Sequence, residues 1–116
     1  MTFDEVTKAA LTLPDVAVSE KYDGSPVLKA GGSFLAGIAT DESADADTLV
    51  VRMGHEERQY LLEDAPETYY VTEHYERHPV VLVRMELLEA DALRDLLSGS
   101  WRLAMKKGTR AQFSEG

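Results

Sequence analysis

The spacing of hydrophobic positions changes several times along this chain, and each change predicts an element. Thr2 with Glu5 three residues on has the form of a capping box. Phe3, Val6, Ala10 and Leu13 then recur at helical spacing, which predicts a helix over 3–13 that ends before Pro14. V-A-V-S-E-K-Y alternates only in part and reads as an edge strand at best. D-G-S-P breaks it, because Gly24 accepts positive φ and Pro26 biases Ser25 away from helix. Residues 26–40 predict a hairpin whose primed turn is Gly31-Gly32, with Leu28 opposite Leu35 and Lys29 opposite Phe34. D-E-S-A-D-A-D lacks large apolar residues and reads as a solvated loop. In T-L-V-V-R-M a period of two returns, with Leu49, Val51 and Met53 on one face and Thr48 and Arg52 on the other.

From His55 the pattern is helical again in H-E-E-R-Q-Y-L-L-E-D, with acids in its first turn and Pro66 beyond its end. A short strand follows over 69–72, then a polar stretch, then V-V-L-V-R-M, whose valines favour a strand buried on at least one face. The last helix starts near Glu89 or Asp91, carries Leu93, Leu96, Leu97, Trp101 and Ala104 as a core stripe, and closes at Lys106-Lys107-Gly108. This order lacks regular βα alternation, and its hairpin favours antiparallel pairing. It predicts an α+β fold: a two-layer sandwich, α-β(3)-α-β(2)-α, with an antiparallel sheet. One domain covers residues 1–107, and residues 108–116 form a disordered tail.

Composition narrows the function classes. The net charge is −9, from 12 Lys and Arg against 21 Asp and Glu, and that balance repels polyanions and anionic membrane surfaces. Only the end, W-R-L-A-M-K-K-G-T-R, is basic, and it reads first as a helix terminus whose cations suit its own dipole. No cysteine is present, which removes disulfides, thiolate metal sites and cysteine nucleophiles together. M-T-F-D-E-V has no secretory character and no window is apolar enough to span a bilayer, so the expectation is a cytoplasmic protein without membrane association.

The stretch V-T-E-H-Y-E-R-H-P places His74 and His78 four residues apart among glutamates. Two such histidines share a zinc when a helix stacks them. Here Pro79 pushes His78 out of helical conformation, and Y-Y-V-T before them is β-prone. A surface turn is therefore expected, without metal or cofactor. Neighbouring acids such as Glu56-Glu57 point in different directions on a helix, no nucleophile elbow occurs, and Gly31-Gly32 precedes a strand rather than a helix. With no catalytic constellation, a non-enzymatic binding role is expected. Tyr22 and Tyr75 lie in loop-like contexts, where a ring can stack on a base or a partner side chain.

T-F-D-E-V, L-T-L-P-D-V, Y-D-G-S-P-V-L-K, T-L-V-V-R-M, V-T-E-H-Y with H-P-V-V-L-V-R-M, and L-R-D-L-L-S-G-S-W-R-L-A, in this order, resemble the MmcQ/YjbR-like family. The resemblance covers residues 1–107 and implies a domain similar to secretion-chaperone-like and CyaY-like folds. It also implies the family's common label of DNA-binding, although a fold alone is a poor warrant for function. Matching positions include Tyr22, Lys29, His74, Tyr75 and Arg84, while Arg77 stands where the family often has glycine. These six are the candidate binding residues. The leading expectation is an interaction module for a protein or small ligand, using the exposed sheet face or the groove between the Tyr22 loop and the His74-Tyr75 loop, as a monomer or weak homodimer. The alternative is DNA binding through a local patch drawn from Lys21, Lys29, Arg77 and Arg84, or from Arg102, Lys106, Lys107 and Arg110.

Overall fold

The computed structural model describes the backbone of residues 1–115 and the side chains of residues 1–106. The chain runs α1 (Phe3–Ala10), β1 (Val16–Glu20), β2 (Pro26–Ala30), β3 (Ser33–Ile38), β4 (Thr48–Arg52), α2 (His55–Asp64), β5 (Tyr69–Tyr70), β6 (Val80–Arg84), a 3-10 turn (Met85–Leu87) and α3 (Ala90–Glu115). All neighbouring strands are antiparallel, in the order β1-β2-β3-β4-β6-β5. The α+β class and the antiparallel sheet are as the hydrophobic pattern predicts. The count differs, because four strands precede α2 rather than three. β1 pairs along its length with β2, although Val18 is 52% exposed. Backbone pairing rather than burial holds this strand, which is why its alternation is weak.

Local chemistry sets the element ends. The Thr2 hydroxyl accepts the Glu5 N–H at 3.2 Å and caps α1. α1 stops at Ala10, and Leu11 to Leu13 continue as tight turns held by the Ala9 and Ala10 carbonyls. Gly31 and Gly32 take φ of 58° and 81°, as a primed hairpin turn requires. Lys29 faces Phe34 as expected, but Leu28 pairs with Ala36, leaving Leu35 without a register partner. The bulge has a packing reason: it lets consecutive residues Leu35 and Ala36 both enter the helix-side core, where each is fully buried. The Ser100 hydroxyl of α3 donates to the Leu35 carbonyl at 2.9 Å and satisfies the backbone there.

The main core lies between the sheet and the helices. Leu28, Leu35, Leu49, Val51, Val81 and Val83 meet Val6 of α1 and Leu93, Leu96 and Leu97 of α3. Trp101 is half-buried at its edge rather than inside it, and its indole N–H donates to the Pro14 carbonyl at 2.8 Å. α3 runs past Gly108, where glycine was expected to end it, because a helix with packed leucines upstream absorbs one unfavourable residue. The expected tail over 108–116 lies outside the described side chains. No described helix is long and apolar enough to cross a membrane.

Among the described residues, no helix packs on the opposite sheet face. A smaller apolar cluster of Val50, Val80 and Leu82 sits there, joined by Phe34, Ala39, Ala44, Tyr70 and Tyr75. The acidic segment 40–47 is therefore more than a solvated loop. The Tyr70 hydroxyl accepts the Asp45 N–H at 2.9 Å and lies 2.6 Å from the Thr48 hydroxyl. The Tyr75 hydroxyl accepts the Asp41 N–H at 3.3 Å, and Ser43 meets Thr72 at 2.8 Å. Hydrogen bonds to tyrosines, which a reading of local hydropathy does not register, fasten this loop over half of the face.

Candidate functional site

The uncovered half of that face holds a pocket, and strand alternation supplies its charged floor. Met53 joins the helix-side core, so its neighbour Arg52 points to the opposite face. Arg52 Nε donates to the Phe34 carbonyl at 2.6 Å, and partial burial pulls its pKa below the usual arginine value. The group remains a cation at neutral pH. Among the described residues no carboxylate pairs with it.

One wall comes from the turn over 72–79, and a residue of α2 positions it. Arg58 is buried, with its guanidinium directed at three backbone carbonyls: Nη1 donates to His78 and Val80 and Nη2 to Glu76, each at 3.1 Å. The planar guanidinium fits this task because several donors are fixed in one fork. Pro79 ends the turn, its carbonyl accepting from Met53 N–H at 2.8 Å, and β6 begins. Turn and strand thus replace any continuous helix through His74 and His78, as Pro79 predicts. The facing wall is the β1–β2 loop. Asp23 accepts both the N–H and the hydroxyl of Ser25, at 2.9 and 2.6 Å, which holds its carboxyl below the usual aspartate value. Gly24 at φ 84° completes that turn, and Lys21 reaches the pocket from it.

The cavity is about 400 Å³, within the range of small-molecule sites. Phe34, Val50, Tyr75, Pro79 and Val80 give apolar and aromatic surface, while Lys21, Arg52, His74 and His78 give the polar groups. The rings of His74 and Tyr75 meet edge-on at 4.8 Å, and His74 and His78 lie 6.5 Å apart. His74 Nδ1 is 3.5 Å from Asp41. The Ser43 hydroxyl and N–H, with His74 as a minor contributor, hold the Asp41 carboxyl below its usual value. Among the described residues, no group of three or more His, Cys, Asp or Glu side chains is arranged to hold a metal ion.

The six candidate residues separate in space. His74 and Tyr75 line the pocket, and Arg77 sits at an outer depression with Glu73, His74 and His78. Tyr22 is fully exposed, and its neighbour Lys21 lines the cavity instead. Lys29 pairs with Phe34 across β2 and β3 but is not part of the lining. Arg84 lies at the far end of the face, bonded to Asp45 at 3.0 Å and stacked 4.1 Å over Tyr70. Reading by loops missed Arg52 and Phe34. Their signal was present in the alternation of T-L-V-V-R-M, which sets Arg52 on the face away from the core.

A family model described as YjbR matches residues 11–103, a span that contains every pocket residue. Three proteins named as uncharacterized are similar to this chain, one from Mycobacterium bovis and two from strains of Mycobacterium tuberculosis. Each is 27% identical over 117 residues, covering 91% of this chain and 90% of the relative.

Proposed function

The chain belongs to the YjbR family, and from that footing we propose that it is a binding domain whose sheet-face pocket takes up a small anionic ligand with a flat or apolar body. One observation carries this reading. In a chain with 21 acids against 12 bases, the described lining holds Lys21, Arg52 and two histidines and no carboxylate. A half-buried arginine without an ionic partner is costly to hold in a folded domain, and an incoming carboxylate or phosphate relieves that cost. The remaining guanidinium N–H groups are suited to a two-pronged bond, with Phe34 and Tyr75 beside them for an aromatic or aliphatic body.

The DNA-binding alternative draws on some of the same cations. It loses Arg84, which is engaged with Asp45 and Tyr70, and it works against the net charge of −9. Phenylacetate serves as the probe, followed by amide chemical shifts. Saturable movement at Phe34, Val80 and Tyr75, weakened about tenfold or more in Arg52→Gln, supports the pocket reading. No movement at these amides, or equal affinity in Arg52→Gln, rejects it. Salt-sensitive retention of mixed DNA in a shift assay, abolished by Lys21→Ala with Arg77→Ala, would move the assignment to nucleic acid.

A further inference from the structure

On the helix side of the sheet a second cleft opens between α2 and α3, and its chemistry is opposite in sign. It has a volume of about 340 Å³, and its apolar surface comes from Met53, Leu61 and Leu96. Glu57 of α2 and Asp95 of α3 line it, together with the rings of Tyr60 and Tyr69. No Lys, Arg or His is among its described lining residues. Neither carboxylate has an ionic partner among the described residues. Gly99 of α3 also lines it, and a Cβ at this position would stand 4.0 Å from Glu57 Oε2. Tyr60 is 76% exposed, an unusual position for a large ring on a small domain.

We propose that this cleft is a binding site for an organic cation, whose ammonium group lies between Glu57 and Asp95 against the Tyr60 ring while its apolar body rests on Met53, Leu61 and Leu96. Charge complementarity selects the occupant. Two carboxylates at the edge of an oily floor favour a cation that brings its own apolar surface, whereas a bare metal ion would find too few ligands. An exposed tyrosine face adds attraction for an ammonium group. Burial, and then the charges of Asp64 and Asp95, raise the Tyr69 hydroxyl above its usual value. An added anion meets like charge from Glu57 and Asp95.

Phenethylamine and phenylacetate are similar in size, share a phenyl ring and carry opposite charge, so together they test both sites independently. Titrating phenethylamine into the full chain is expected to shift the amides of Leu61, Tyr69, Leu96 and Gly99 saturably, with a Kd on the order of 1 mM or below. Glu57→Gln combined with Asp95→Asn weakens this about tenfold or more, and so does the surface change Tyr60→Ala, which leaves the core intact. Arg52→Gln leaves amine binding unchanged, so loss of the anion pocket does not affect this readout. Absence of a saturable shift with the amine, equal affinity in the folded Glu57→Gln, Asp95→Asn variant, or displacement of these same amides by phenylacetate to the same degree overturns the assignment.

Discussion

Arg58 Nη1 donates to the carbonyl of Val80 at 3.1 Å, and this bond joins helix α2 to the first residue of β6 in the wall of the sheet-face pocket. The same guanidinium holds Glu76 and His78. Arg58→Met therefore leaves the buried Val80 carbonyl without this donor and removes the bonds to the part-buried Glu76 and His78 carbonyls, and the expected loss is about 1–3 kcal/mol in urea unfolding. Arg58→Lys does not restore it, because one ammonium cannot reproduce the fork. Phenylacetate affinity falls with either change, as the turn carrying His74 and Tyr75 loosens.

Tyr70→Phe and Tyr75→Phe separate the two ends of the loop over 40–47. Tyr70 serves both the Asp45 N–H and the buried Thr48 hydroxyl, so its loss is expected to cost about 1–2 kcal/mol. Tyr75 offers one longer bond, to Asp41, and its phenylalanine variant stays within about 1 kcal/mol of wild type. Amide hydrogen exchange should accelerate at Asp45 in the first variant and at Asp41 in the second.

Gly99→Ala is expected to stabilise the protein by about 0.5–1 kcal/mol, since glycine in a helix interior carries the larger entropy loss. The new Cβ makes only ordinary contact with Glu57 at 4.0 Å. It also adds bulk to the lining of the α2–α3 cleft, so the unfolding temperature should rise while phenethylamine affinity drops.

Acidification tests the loop cap at Asp41. Its folded pKa lies below the usual 3.8, so the stabilisation is fully present above that value and is lost as pH falls through the lower folded one. The Ser43 amide resonance, which reports the bond to Asp41, should hold its neutral-pH position down to the usual aspartate value and shift only beneath it. Asp41→Ala abolishes that transition. A Ser43 shift that begins near neutral pH would contradict this account.

Elements that announce themselves by strong local chemistry were legible in the sequence. His55 opens α2, Pro79 precedes β6, and the glycine pair turns the hairpin, each as its composition requires. The bulge at Leu35 was not legible, because its partner is distant in the chain: Ser100 of α3 donates to the Leu35 carbonyl where the register shifts. For the same reason the loop over 40–47 reads as solvated until Tyr70 and Tyr75 arrive from distant strands. The site was half visible: His74 and Tyr75 stand out as loop residues, whereas Arg52 hides within a strand and becomes conspicuous only when its neighbours are apolar and its charge unpaired.

Arg52 and Met53, adjacent in the chain, line two cavities on opposite sides of the sheet. A frame slip of one position in β4 would trade them, sending a guanidinium into oil and a thioether out to water. Deleting any single amino acid between Thr48 and Met53 should thus disrupt both cavities at once, whereas shortening the neighbouring 40–47 crossing would spare the strand that keeps the two linings on separate sides.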